Sequence, residues 1–230
     1  MSAGRLTRPR LVLFDLDGTL VDTAPDIAAA VNELLSVHRL PAHSLDTVRS
    51  MIGHGIETLV VRAFAAHGLT LQGTELAARH AEMMEIYGGH LTRFSSPRDG
   101  ARDAVAVARR TGLGTGVVTN KPEGFSRTIL AELDLLAGLD MVIGGDSGFA
   151  KKPAPDMLLA ACRETGCGPS DALLVGDSQA DLAAARAAGM ACILVRGGYG
   201  DMDVDLLDAD RVMHDLREFP ALLSRLLEAA

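Results

Sequence analysis

Arg10-Leu11-Val12-Leu13-Phe14-Asp15-Leu16-Asp17-Gly18-Thr19-Leu20 is the stretch from which the fold of this 230-residue chain can be read. Four apolar residues, Leu11 to Phe14, follow Pro9 and Arg10 and run into two carboxylates and a glycine. That is the pattern of a buried strand closed by a turn. Open α/β sheets gather their ligands at the carboxyl ends of strands, and here that end carries acids. Asp15 and Asp17 are two positions apart, so in an extended chain both would face the same side. Gly18 permits a sharp turn, and Thr19 adds a small hydroxyl. Two carboxylates in one pocket repel each other unless a proton or a cation lies between them, and a hard, oxygen-seeking ion such as Mg²⁺ suits them. Taken alone, the same residues also describe a turn with two solvated aspartates.

The totals narrow the classes. At 230 residues with 48% apolar residues, the chain can bury a large core in one domain or two small ones. Aromatics make up 3% and Trp is absent, so that core is built from Leu, Val, Ala and Met. Lys and Arg number 22 against 30 Asp and Glu, and the net charge of −8 argues against nucleic acid as a partner. Cys162, Cys167 and Cys192 are odd in number and form no CxxC pair, which disfavours a disulfide framework or a zinc site and fits a reducing cytoplasm. The apolar run after Arg5, Arg8 and Arg10 is too short for a signal peptide or a membrane span. A soluble, cytoplasmic protein is expected.

Along the chain, Thr23, Pro25 and Asp26 carry helix-start chemistry, with Thr23 as the cap, and Ile27 to Val37 recur at helical spacing. Ser44-Leu45-Asp46 opens a second helix, Ile56 to Ala66 forms a third, and Thr74 to Tyr87 a fourth that stops at Gly88-Gly89. No strand-like alternation appears between Asp22 and Gly89. From Pro97 the pattern alternates: helix Asp99–Arg110, strand Leu113–Val118, helix Glu123–Leu133, strand Met141–Ile143, helix Pro155–Thr165, strand Ala172–Val175, helix Ala180–Ala188, strand Ala191–Val195 and a closing helix Leu216–Leu227. Such alternation predicts an α/β fold, a doubly wound parallel sheet with helices on both faces, interrupted by an inserted α-helical block. The expected division is residues 1–21 with 95–230 as a discontinuous core and 22–94 as the helical insertion.

Three later segments end in residues that suit the first. They are Thr119-Asn120 after a strand, Lys152 before Pro153, and Gly176-Asp177-Ser178-Gln179-Ala180-Asp181 after another strand. Each has a plainer reading: a helix cap, a solvated lysine pair, and a capped helix start with Asp177 or Ser178 as the cap. As a set they resemble the four motifs of the haloacid dehalogenase superfamily of phosphatases, and the resemblance covers nearly the whole chain. It implies a Rossmann-like core and a helical cap in the interval of the insertion. It implies Asp15 as a nucleophile that forms an aspartyl-phosphate, and Asp17 as general acid and then base. Superfamily dehalogenases, phosphonatases and ion-pumping ATPases lack that second Asp, so its presence favours phosphate esters. Lys152, not Lys151, matches the lysine that neutralises the transferring phosphoryl group. Thr119 and Asn120 would contact phosphoryl oxygens and substrate, and backbone N–H groups from Leu16 to Gly18 would cradle the phosphate. Mg²⁺ is the implied cofactor, held by Asp15, Asp177 and the carbonyl of Asp17, with Asp181 nearby through a water or by fixing Lys152.

The segments around Phe14-Asp15, Thr23 to Ile27, Met51-Ile52-Gly53-His54-Gly55, Val118 to Pro122 and Val175 to Ser178 look like the phosphoglycolate phosphatase branch. The implied partner is a small phosphate ester, 2-phosphoglycolate first, with a sugar phosphate as the alternative; no membrane and no nucleic acid are involved, and the chain would act as a monomer or homodimer. His54, in a Gly-flanked turn, and Arg62 are candidate substrate contacts, and the other histidines read as surface residues. Lys152-Pro153-Ala154-Pro155-Asp156 also resembles β-phosphoglucomutase, which returns the phosphoryl group to a sugar. A response-regulator receiver shares the Asp, Thr, Lys and Mg²⁺ set, but its acceptor lies in mid-domain and it has no helical insertion.

Overall fold

The computed structural model describes residues 6–200 and 202–228. Residues 1–5, assigned above to the first core piece, and residues 229–230 at its end lie outside the described residues. One sheet of six parallel strands organises the rest, in the order β5-β4-β1-β6-β7-β8. These are β1 (Leu11–Phe14), β4 (Gly114–Val118), β5 (Met141–Ile143), β6 (Ala172–Gly176), β7 (Ala191–Val195) and β8 (Arg211–Met213). The opening stretch is thus an inner strand, paired on both sides, Phe14 standing beside Val117 and Val175. Its four apolar residues are fully buried because each face is covered. Val12 and Phe14 pack with α5 (Ala101–Arg110), α6 (Glu123–Glu132) and α9 (Phe219–Glu228), while Leu11 and Leu13 pack with α7 (Asp156–Thr165) and α8 (Gln179–Ala188). Burying each Leu or Phe side chain of this kind contributes roughly 1.5–3 kcal/mol, so the strand's position is held from both sides.

The interval after β2 (Val21–Asp22) holds α1 (Ala24–Val37), α2 (Leu45–Arg49), α3 (Ile56–Ala65) and α4 (Gly73–Gly88), and the chain then returns through β3 (Ser96–Pro97). These helices pack on one another around Ile27, Leu34, Leu59, Phe64 and Met83. β2 and β3 pair antiparallel, so the chain leaves and re-enters side by side, a two-strand connection that sequence periodicity is too short to reveal. Asp26, read as a dipole-favouring residue, is fully buried. It accepts from the backbone N–H of Phe94 and Ser95 and from the Ser95 hydroxyl, and so ties the outgoing and returning segments together. Among the described residues no helix is long and apolar enough to cross a membrane, and the three cysteines are unpaired.

Several local expectations need correction. Thr23 occupies the cap position of α1 but makes no capping bond; its hydroxyl instead donates to the Asp17 carboxylate at 2.6 Å, a charge-assisted hydrogen bond. The α5 helix begins at Ala101 rather than Asp99, because Gly100 turns the chain at φ +83°. β8 is missed because three residues with one exposed end carry little periodicity. The closing helix starts at Phe219, after a 3₁₀ turn over Leu216–Glu218. Of the two caps expected for α8, Ser178 is the one that forms, in a reciprocal capping box with Asp181.

Candidate active site

Strand β1 ends at Phe14, and Asp15 follows with its N–H bonded to Val175 O at 2.9 Å. Asp15 and Asp17 do line one cavity, though not by strand extension. The chain folds back at once, with Leu16 O accepting from Thr19, Leu20 and Val21 N–H. The N–H of Gly18 is itself occupied by Val21 O at 2.9 Å, which removes it from the expected phosphate cradle. Gly18 is required for another reason. Its φ is +85°, and a Cβ there would stand 2.6 Å from Asp177 Oδ2. Leu16 sends its side chain into the core beneath the sheet.

Asp15, Asp177 and Asp181 bring carboxylate oxygens within 4.8 Å of one another, all buried. Between them lies the ammonium of Lys152, 2.8 Å from Asp15 and 2.6 Å from Asp181, also donating to Val118 O at 2.8 Å. Lys152 is 4% exposed whereas Lys151 faces solvent, so burial separates the two lysines that adjacency could not. Asp177 accepts from the Thr19 hydroxyl and from Tyr199 N–H, each at 2.7 Å. Asp181 holds Lys152 with one oxygen and the start of α8 with the other, accepting there from Ser178 N–H at 3.1 Å.

The electrostatics of this cluster are unbalanced. Burial pushes the Asp15 carboxyl up to about 6 against the pull of Lys152, and pushes Asp177 up to about 8, with the charges of Asp15 and Asp181 adding to it. Burial disfavours charge on Lys152, but Asp15 and Asp181 outweigh it and hold the ammonium well above its usual range. Lys152 thus pairs with two of the three buried carboxylates, Asp15 and Asp181, and among the described residues Asp177 is left without a cation beside it. The donor set is oxygen only, hard and anionic, which fits a divalent ion of the Mg²⁺ kind.

Asp17 sits on the cavity's other side. Lys121 Nζ lies 2.7 and 2.9 Å from its two oxygens, with a side chain 3% exposed. Lys121 is the residue that sequence reading passed over, although Lys directly follows the Thr119-Asn120 pair at the carboxyl end of β4. Thr119 is buried at the cavity wall. Asn120 donates both amide hydrogens elsewhere, to Gly53 O and Lys152 O at 2.9 Å each, so it clamps the Gly53 turn to the Lys152 loop instead of presenting its amide hydrogens to a substrate. His54 is exposed at the mouth of the cavity beside Asp177 and Tyr199. Arg62 is not brought there. Its guanidinium donates to Met51 O at 3.2 Å and to Ser50 O at 3.5 Å, satisfying carbonyls at the end of α2. The chain's two tyrosines, Tyr87 and Tyr199, both reach this region.

Known proteins share this arrangement of chain. The sequence profile of the haloacid dehalogenase-like hydrolases matches residues 12–195. The chain is 40% identical over 199 residues to the phosphoglycolate phosphatase of Pseudomonas savastanoi pv. phaseolicola, covering 86% of this chain and 72% of that one. It is 36% identical over 192 residues to the N-acetylmuramic acid 6-phosphate phosphatase of Pseudomonas aeruginosa, covering 84% of each. The crystal structure of a predicted phosphoglycolate phosphatase from Haemophilus somnus 129PT superposes with a TM-score of 0.88 at 29% identity, covering 94% of this chain and 98% of that one. A six-stranded parallel sheet whose inner strand delivers buried acids, and relatives of this identity over most of their length, agree with each other: the chain belongs to the haloacid dehalogenase-like hydrolase family and is a phosphatase.

Proposed function

We propose that this phosphatase hydrolyses 2-phosphoglycolate with the help of Mg²⁺ and through an aspartyl-phosphate on Asp15. The observation that carries the reading is the Lys152 ammonium set between Asp15 and Asp181, with Asp177 alongside, at the carboxyl end of β1. An ionised Asp15 oxygen attacks phosphorus as the bond to the leaving oxygen breaks, and Asp17 gives that oxygen a proton. Asp17 then takes a proton from the water that attacks the aspartyl-phosphate, releasing inorganic phosphate and restoring the carboxylate. Lys152 balances charge on the nucleophile and on the transferring group, and Asp181 keeps Lys152 in place. The Thr119 hydroxyl is assigned to a phosphoryl oxygen. The carboxylates of Asp15 and Asp177 and the carbonyl of Asp17 would hold the ion. When bound, Mg²⁺ supplies the positive charge that the buried acids lack and orients the phosphoryl oxygens.

The helices α1–α4, taken as residues 22–94, serve in this reading as a cap over a core of residues 1–21 and 95–230. Their hinge is the β2–β3 pair, steadied by Asp26. Three unpaired cysteines fit a cytoplasmic setting. A sugar phosphate is the second reading, favoured by the similarity to the N-acetylmuramic acid 6-phosphate phosphatase. Phosphate release from 2-phosphoglycolate and from a set of sugar phosphates, with no bisphosphate activator present, decides between them. The highest kcat/KM is expected on 2-phosphoglycolate; a sugar phosphate in first place refutes the substrate assignment, and absence of phosphate release in favour of isomerised sugar phosphate indicates a mutase.

A further inference from the structure

Beyond Asp15 and Asp17 the cavity continues under the helices, where Ile27, Ile52, Ile56 and Leu59 make an apolar wall. Polar groups interrupt that wall without a task in the chemistry above. The Tyr87 hydroxyl, on a residue 1% exposed, is buried and has no hydrogen-bond partner. Beside it, Lys121 Nζ lies 4.9 Å from the centre of the Tyr87 ring. Asp17 engages that ammonium with two oxygens at 2.7 and 2.9 Å, and an ammonium has three N–H groups, which leaves it donor capacity beyond Asp17. Buried donors are almost always satisfied, and one left open in a cavity wall marks where a ligand's acceptor belongs. Burial and the charges of Asp17 and Asp26 hold the phenol protonated, so Tyr87 can act only as a neutral hydroxyl there. A cationic donor thus lies against the ring that carries a neutral donor, next to the carboxyl assigned to protonate the leaving oxygen.

We propose that Tyr87 Oη and Lys121 Nζ together receive a carboxylate carried by the leaving group, one carbon from the ester oxygen, which makes the site selective for phosphate esters of short 2-hydroxy acids. This rests on the proposed phosphatase mechanism and deepens it. The carboxylate accepts from both donors, while the four aliphatic side chains limit the leaving group's bulk. One donor comes from α4 and the other from the loop after β4, so selection requires helices and sheet to be packed together. The contact with substrate expected of Arg62 passes to Lys121, since Arg62 is held by backbone carbonyls.

The test compares kcat/KM for 2-phosphoglycolate and 2-phospholactate with that for 2-hydroxyethyl phosphate, which replaces the carboxylate by a neutral alcohol. The wild-type protein is expected to prefer the acids by about a hundredfold, Tyr87→Phe to reduce that preference about tenfold through KM, and Lys121→Met to bring it near unity. Lys121→Met also disturbs Asp17, so the ratio between esters is read, not the absolute rate; Tyr87→Phe removes one oxygen and tests the point alone if the other variant fails to fold. An unchanged ratio in Tyr87→Phe overturns the proposal while 2-phosphoglycolate can remain the best substrate. A wild type that favours 2-phospholactate, with the ratio lost in the variants, supports the anion site and overturns 2-phosphoglycolate as the substrate. A wild type with no preference for the acids overturns the anion site.

Discussion

The two walls of the cavity are built on opposite principles. The sheet side is charged and mutually constrained: Lys152, Asp15, Asp177 and Asp181 each have a partner among the others or a backbone group, and Ser178 caps the helix that carries Asp181. The helical side is apolar and sparsely polar, with Ile52, Ile56 and Leu59 facing the site and a few donors between them. Charges in a buried cluster act strongly and over short distances, so small errors of placement are costly and the chain fixes them redundantly. An apolar wall discriminates by volume and by a few polar contacts, each of which is worth less. In the proposed reading, the difference separates what makes this chain a phosphatase from what chooses its substrate.

Breaking the charged side should have the largest effect. Asp15→Asn removes the proposed nucleophile and is expected to lower kcat by about 10⁴-fold or more with the fold intact; phosphate release and a thermal melt check both halves, and substantial residual turnover refutes the assignment. Removing the proposed Mg²⁺ comes next. EDTA should abolish turnover and added Mg²⁺ restore it.

The same experiment has a pH signature. Asp15 and Asp177 have folded-state values of about 6 and about 8 against the ordinary 3.8, so without the ion the folded protein binds more protons than the unfolded chain in that window. Their favourable contribution is complete below about pH 4 and is lost as the pH rises through 6 and then 8. The melting temperature of the metal-free protein should therefore fall over that range, and Mg²⁺ should raise it more at pH 8 than at pH 5. Equal stabilisation at both values would refute the sharing of one ion by these two acids.

The join between the two walls should respond less. Asn120→Ala removes the hydrogen bonds to Gly53 O and Lys152 O, and a loss of about tenfold in kcat/KM is expected, since each such bond contributes about 1 kcal/mol and positions a loop that bears on the site. Steady-state kinetics on 2-phosphoglycolate measure it. Arg62→Ala lies at the small end. Its guanidinium serves the end of α2, so the melting temperature should drop slightly while kcat/KM changes by less than about threefold. A large rise in KM for that variant would return Arg62 to the binding site.

Much of the sheet side was legible from residue order. Apolar runs such as Leu11–Phe14 before Asp15 and Ala172–Val175 before Gly176-Asp177 carry their meaning locally, because a parallel strand buried on both faces is largely apolar and delivers its next residues to one edge of the sheet. The short pieces were not legible: β2, β3 and β8 are two or three residues long, and backbone pairing across distant segments defines them. Thr23 is ambiguous for the same reason, since a hydroxyl at a helix start has the chemistry of a cap and only the fold brings the Asp17 carboxylate to it.

The sequence by itself determined the α/β alternation and the helical insertion, because each of these depends on periodicity or on residues close in the chain; that the acids and the lysine meet at the carboxyl end of β1 was implied there only by the resemblance to the haloacid dehalogenase superfamily. Only the tertiary structure decided that Lys152 is buried and Lys151 is not, that Asp17 is paired with Lys121, that Arg62 turns away, and that Tyr87 comes down over the site from a helix far from the motifs. Burial and charge pairing depend on which distant segments pack together, and the free energy of a buried ionic group is set by those neighbours rather than by the residues beside it in the chain.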